Sequence, residues 1–178
     1  QILGSSHGVR RVISLVQDKE IIWIISDKGI YKYSKENSKL TLALSTRKHF
    51  HSFRKYANKF IIGADNGQLY IYDPRKDDYS IMKFNTSATL TRVKAYDSKH
   101  LLITAENDGF FLTDGYRGEG VHYTISNQLL SNEVNALYVE DSQKHIWIAY
   151  KNTTMITRID SLGTYRKHYP VSYTHLRA

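Results

Sequence analysis

Few side chains in this 178-residue chain have the type and spacing for covalent chemistry. There is no Cys, which removes disulfides, thiolate metal sites and a cysteine nucleophile. No HExxH, CxxC or Walker-type loop occurs, so the motifs that build a zinc protease or a phosphate cradle are missing. Of the eight His, His49 and His51 stand two apart and on a strand would share a face. Without a third ligand or a supporting carboxylate nearby in sequence, they do not make a metal site. Asp77-Asp78 and Glu140-Asp141 read as solvated turn acids beside strands. We therefore expect no catalytic residue, no metal and no cofactor in this segment. What remains is charge. Lys and Arg number 25 against 17 Asp and Glu, a formal net charge of +8. The doublets Arg10-Arg11, Arg47-Lys48, Arg54-Lys55, Arg75-Lys76 and Arg166-Lys167 are spread along the chain, as in solvated loops. Such an excess also attracts acidic ligands. Nucleic acid fits the charge alone, but no recognised binding module accompanies it, and no nucleic-acid contact is expected.

The elements that must position these residues are strands. Hydrophobic residues are 41% and charged residues 24%, the balance of a globular chain. No apolar run exceeds five residues, as at Ile21–Ile25, too short for a helical membrane span. Tyr-rich aromatics and only two Pro favour β structure. Four segments repeat one pattern, starting at Val12, Phe50, Leu90 and Val134: an apolar stretch, a polar turn, a compact apolar core, a second turn and an alternating stretch. The core anchors Trp23, Ile61, Leu102 and Trp147 are 38, 41 and 45 residues apart. Gly29, Gly67 and Gly109 follow Asp, Asn or Lys in the turn after the core, where Gly supplies positive φ. In the fourth copy Asn152-Thr153-Thr154 stands there instead, so that hairpin needs a different geometry. The cores are short continuous apolar runs, expected where a strand is covered on both faces. The stretches Gln68–Tyr72 and Met155–Ile159 alternate and are expected nearer solvent. With a last stretch at Leu40–Leu44, Ser80–Phe84, Gly120–Thr124 and 164–169, each unit holds four strands in about 40 residues, the arithmetic of a β-propeller blade.

The fourth unit, Leu130-Ser131-Asn132-Glu133-Val134 through Tyr138, then Glu140-Asp141-Ser142 and His145-Ile146-Trp147-Ile148, resembles the two-component regulator propeller repeat. The first unit matches through Ile22-Trp23-Ile24 and Asp27-Lys28-Gly29-Ile30-Tyr31, the second through Ile62-Gly63-Ala64-Asp65-Asn66-Gly67-Gln68-Leu69, and the third through Glu106-Asn107-Asp108-Gly109-Phe110. Ile25, Thr104 and Ala149 depart from the small Gly that the repeat carries after its core. The resemblance covers 5–169. It implies the periplasmic sensor region of a hybrid two-component histidine kinase of gut Bacteroidetes, an inner-membrane protein that detects oligosaccharides and relays the signal to transcription control. It also implies further blades and a β-sandwich in the same parent chain, a homodimeric parent, and no kinase apparatus in this segment. A propeller serving as a protein-interaction scaffold, unconnected to a kinase, is the alternative.

The expected fold is thus all-β, a partial propeller of about four four-stranded blades in an incomplete ring: 1–44, 45–84, 85–124 and 125–170. Residues 171–178, VSYTHLRA, continue no upstream pattern and resemble a translated sequencing adapter. The start at Gln1, with Met82 and Met155 the only methionines, fits a fragment of a longer frame. In a propeller the first strand of each blade lines the central channel. Arg11, Arg47, His49, His51 and Arg92 fall at or just before three successive first strands, and are expected to form a basic rim for a charged, acidic saccharide. Trp23, Ile61, Leu102 and Trp147 are expected to fill the gaps between blades, where large side chains bury most area. An open stack leaves two flanks uncovered and should be prone to association.

Overall fold

A computed structural model of the chain describes residues 9–115, 120–161, 163 and 166–171; residues 1–8 of the first unit, 164–165 of the last strand and 172–178 of the adapter-like tail lie outside them. Sixteen strands form four antiparallel sheets, each with its strands in chain order. The first sheet holds β1 (Val12–Asp18), β2 (Ile21–Ser26), β3 (Gly29–Ser34) and β4 (Lys39–Ser45). The second holds β5 (Phe50–Tyr56), β6 (Lys59–Ala64), β7 (Gln68–Asp73) and β8 (Asp78–Lys83). The third holds β9 (Leu90–Ala95), β10 (His100–Ala105), β11 (Phe110–Asp114) and β12 (Gly120–Tyr123), and the fourth β13 (Val134–Val139), β14 (Ile146–Tyr150), β15 (Met155–Ile159) and β16 (Arg166–Pro170). No helix occurs among the described residues. This is an all-β partial propeller whose four blades do not close into a ring.

Three apolar seams hold the sheets together, and the period-2 alternation of strand side chains decides which residue enters which seam. Trp23 and Ile25 of β2 meet Phe60 and Ile62 of β6 in the first seam. Trp23 stands edge-on to Phe60 and Tyr72, at 5.5 and 5.7 Å between ring centres, the geometry that ring quadrupoles favour. Ile61 turns the other way, into the second seam with Leu101 and Ile103. Leu102 in turn enters the third, with Ile146 and Ile148. The inner second strands β6 and β10 are therefore buried on both faces. Strands β2 and β14 alternate between buried and part-buried residues because each borders an open flank. Strand β7, expected nearer solvent, has four of its six residues buried, because seams cover it on both sides.

Trp147 departs from its expected role. It occupies the anchor position of the last sheet, but it faces away from the third seam and is only part-buried. Its indole N–H points to Glu140 Oε2 at 3.4 Å, Tyr169 lies 5.5 Å away, and the Arg158 guanidinium sits over its ring. The reason is topological: the anchors all point toward the next sheet, and no described residue supplies a next sheet here.

The blade ends repeat as well. A β-bulge interrupts each first strand at the same place, between Val12 and Ser14, Phe50 and Ser52, Leu90 and Arg92, and Val134 and Ala136. Backbone bonds tie each β-hairpin turn to the entry of its own first strand: Asp27 N to Arg11 O, Asp65 N to His49 O, Glu106 N to Thr89 O and Lys151 N to Glu133 O. Others reach across a seam, from Phe50 N to Asp27 O, Gly67 N to Ala88 O and Gly109 N to Asn132 O. Of the turn glycines, Gly67 and Gly109 adopt positive φ, at 63° and 69°. Gly29, at 158°, is nearly extended, since a two-residue turn through Asp27-Lys28 already joins Ser26 to Gly29. None of Lys151–Thr154 has positive φ, so the fourth hairpin does use another geometry.

Candidate functional site

The turns between second and third strands and the segments entering the first strands share one end of the stack, and the candidate basic residues collect there. Arg11 and His49 occupy equivalent positions on adjacent sheets, each with its carbonyl accepting the N–H of a turn Asp. His51 is the bulge residue of β5. Arg47 lies exposed in the loop leading to His49, and Arg92, two residues into β9, is exposed as well. The structure brings His49 and His51 together on a single carboxylate. Arg11, Arg47 and Arg92 share this end of the stack without touching that pair in any recorded bond.

That carboxylate is Asp65, and the cluster around it was not legible in the sequence. Lys28 Nζ lies 2.7 Å from His49 Nε2. An ammonium can only donate, so Nε2 accepts and His49 carries its proton on Nδ1. Nδ1–H then donates to Asp65 Oδ2 at 3.2 Å, while the His49 backbone N–H donates to the same oxygen at 3.0 Å. His51 Nε2–H donates to Asp65 Oδ1 at 2.7 Å. Asp65 and Lys28 were read from sequence only as turn residues; the repeated acid of the Asp27 and Asp65 turns was the available signal. A carboxylate does therefore stand beside the two His, contrary to expectation, but the Lys28 ammonium fills the place where a cation would approach His49. Among the described residues no group of three or more His, Asp or Glu is arranged to hold a metal.

At this end two acids are taken up by protein donors, while Glu106, in the turn equivalent to those of Asp27 and Asp65, is exposed. The Asp27 carboxylate accepts the backbone N–H groups of Arg10 and Arg11, at 3.1 and 3.2 Å, and is itself buried. Asp65 is occupied by the two His. Both acids thus face inward on protein donors, while Arg10, Arg11, Arg47 and Arg92 expose their charge. Burial pulls the Asp65 pKa up, but the backbone N–H of His49 and the His51 and His49 side chains outweigh it and hold the carboxyl below the usual range. A folded-state pKa below the unfolded one adds stability above the unfolded value, lost as pH falls through the folded value. Thermal melts from pH 7 down to about pH 3 should accordingly show Asp65→Asn melting below the parent near neutrality, with the gap closing in acid. A constant gap at every pH would show that the carboxylate charge is not what matters.

A groove of about 710 Å³ lies at the opposite end, lined by Asp18, Lys19, Glu20, Lys32, Glu36 and Arg75 among others. All of its lining but Arg75 comes from the first sheet and its turns. Its lining mixes three acids, Asp18, Glu20 and Glu36, with four bases, Lys19, Lys32, Lys39 and Arg75.

No protein-family profile matches the chain, and no curated protein matches it. Among solved structures it is similar to the extracellular domain ascribed to a hybrid two component system, BT3049, of B. thetaiotaomicron, with a TM-score of 0.64 and 18% identity over 89% of this chain and 23% of that one. The extracellular domain ascribed to a one component system, BT4673, of the same organism gives a TM-score of 0.63 and 16% identity over 79% of this chain and 20% of that one. The Cps50 (Swd1) beta-propeller domain of Myceliophteria thermophila gives 0.65 and 10% identity over 92% and 57%. The chain thus spans between 20% and 57% of the length of these structures. At such identities the likeness is one of fold, and the fold of this chain is that of a β-propeller.

Proposed function

We propose that this chain is part of the ligand-sensing propeller of a hybrid two-component sensor histidine kinase, held outside the inner membrane, which recognises an acidic oligosaccharide and relays the signal to transcription control. The carrying observation is the rim: exposed Arg11, Arg47 and Arg92 at one end of the stack, with the neighbouring acids Asp27 and Asp65 taken up by protein N–H groups. Guanidinium groups pair bidentately with planar carboxylate and with sulfate oxygens, which suits a uronate-bearing or sulfated glycan. The fold likeness to extracellular domains of B. thetaiotaomicron systems supports the sensor setting. In this reading the segment binds without turnover, and the remaining blades, a β-sandwich and a homodimeric parent lie outside it.

The test is calorimetric titration of the 178-residue chain with oligogalacturonate and heparin-derived oligosaccharides, against neutral maltooligosaccharides. Binding should favour the acidic sugars and weaken with added salt. The Arg11→Ala/Arg47→Ala/Arg92→Ala variant, altered only at exposed positions, should lose about tenfold or more in affinity, or about 1.4 kcal/mol. Unchanged affinity and salt dependence in that variant would overturn the rim.

A further inference from the structure

At the seam between the first and second sheets the rim holds a cation that no acid neutralises. Lys28 closes the Asp27-Lys28 turn, and its backbone is fixed on both sides: its N–H donates to Ser26 Oγ at 3.2 Å, and its carbonyl accepts the Thr46 N–H at 3.3 Å. The Asp27 N–H donates to Arg11 O in the same turn, so Lys28 stands between the segments that carry Arg11 and Arg47. Its side chain crosses the seam to His49 Nε2, 2.7 Å from Nζ. His49 is held by one oxygen of Asp65, and His51 secures the other. Lys28 forms no ion pair among the described residues. One of its three N–H groups serves a neutral ring, so its full charge remains, and the other two have no partner among the described residues. The fold does not demand this arrangement. Asn66 and Asn107, which follow the turn acid on the next two sheets, are uncharged and make no side-chain bond across a seam among the described residues, yet both of their seams form. Glu106 exposes a negative charge at the turn of the third sheet, which concentrates the attraction for anions at the first seam.

We infer that Lys28 meets the acid group of the saccharide directly, between Arg11 and Arg47, and that His49 is a positioning residue that holds the ammonium ready for it. The inference rests on the acidic-glycan reading of the rim and adds the residue that takes the charge. A free lysine side chain loses rotamer entropy when it pairs. Here the bond to His49 has already taken that loss, so pairing with a carboxylate or a sulfate keeps more of its energy. The relay also sets the direction of each proton. Asp65 accepts the Nδ1–H of His49, which leaves Nε2 as the one ring atom able to accept from an ammonium. The two His therefore serve the ligand through Lys28 and Asp65, not by touching it.

Calorimetric titration of the 178-residue chain with oligogalacturonate and with a heparin-derived oligosaccharide tests this, with strand content by circular dichroism as the check on folding. Lys28→Ala should lose about tenfold in affinity for both sugars. His49→Asn keeps a donor where Nδ1 stands but has no acceptor for Lys28, and should lose as much. His49→Gln places an acceptor where Nε2 stands and should bind within about twofold of the parent. Adding Lys28→Ala to His49→Asn should cost little more, because both changes remove one contact. Long-range nitrogen–proton NMR of the imidazole rings at about pH 8, above the usual histidine range, should show the His49 proton on Nδ1 without any sugar present. A His49 proton on Nε2 would overturn the inference, since the Lys28 bond could not then exist. So would full affinity in Lys28→Ala while the parent binds, an outcome that leaves the arginine rim standing. Equal losses in His49→Asn and His49→Gln would overturn the positioning role by showing that the ring acts only on Asp65. A parent chain that binds neither acidic sugar would overturn the rim and this inference together.

Discussion

Trp23→Ala is expected to cost about 3–5 kcal/mol of unfolding free energy, measured by chemical denaturation, and Trp147→Ala below about 2 kcal/mol. The two residues occupy the same place in their repeats, so the difference isolates what the seam contributes. Trp23 is 3% exposed and lies among Phe60, Tyr72, Ile25 and Ile62, against a second sheet that seams hold on both faces. Its removal leaves an indole-sized void between rigid sheets, and the loss of edge-on ring contacts adds to the lost burial. Trp147 gives up one long indole N–H bond to Glu140, a ring contact with Tyr169 and the overlying Arg158, all at a flank that water already reaches. The measurement belongs at a protein concentration where the chain is monomeric. Equal losses at the two positions would show that the fourth sheet is covered after all.

Gly109→Ala should be nearly as damaging, at about 2–5 kcal/mol. Gly109 has φ of 69°, and a Cβ added there would sit 1.9 Å from the Tyr123 carbonyl oxygen, closer than any real contact. Two penalties therefore combine: a left-handed conformation that side chains disfavour, and a backbone oxygen that cannot move without separating β11 from β12. The glycine also ties the seam through its N–H to Asn132 O, and its carbonyl accepts the Ala105 N–H to close its own hairpin. Asn107 in the same turn, at φ of 55°, is the control: Asn107→Gly relieves strain and should stay within about 0.5 kcal/mol of the parent. A Gly109→Ala chain as stable as the Asn107→Gly chain would contradict the assigned turn geometry.

The glycine position after the core shows how pattern and packing divide the work. Gly63 fits the repeat, and a Cβ there would meet Ser52 Oγ at 2.4 Å and Leu90 O at 2.5 Å. Ile25, Thr104 and Ala149, which depart from the pattern at the equivalent place, enter different seams or the open flank, and Ile25 is fully buried without displacing its neighbour.

The candidate site divides in the same manner. Arg11, Arg47, His49, His51 and Arg92 could be placed near the starts of first strands because spacing alone locates those starts. The pairing of His49 and His51 on Asp65, with Lys28 capping His49, could not. Those contacts join residues 14 to 21 positions apart in sequence, across a hairpin and a seam that the spacing does not encode.

By itself the chain's sequence determined four repeated units, sixteen strands and the positions of the tight turns. Each is set by local rules: alternation with period two, and residues that tolerate or refuse a given φ. Only the tertiary structure decided which of two equivalent tryptophans is buried, which basic residues meet, and which acids are taken up by protein donors. Alternation tells that a strand has two faces, but not what lies opposite each, and burial is a property of the neighbour as much as of the residue.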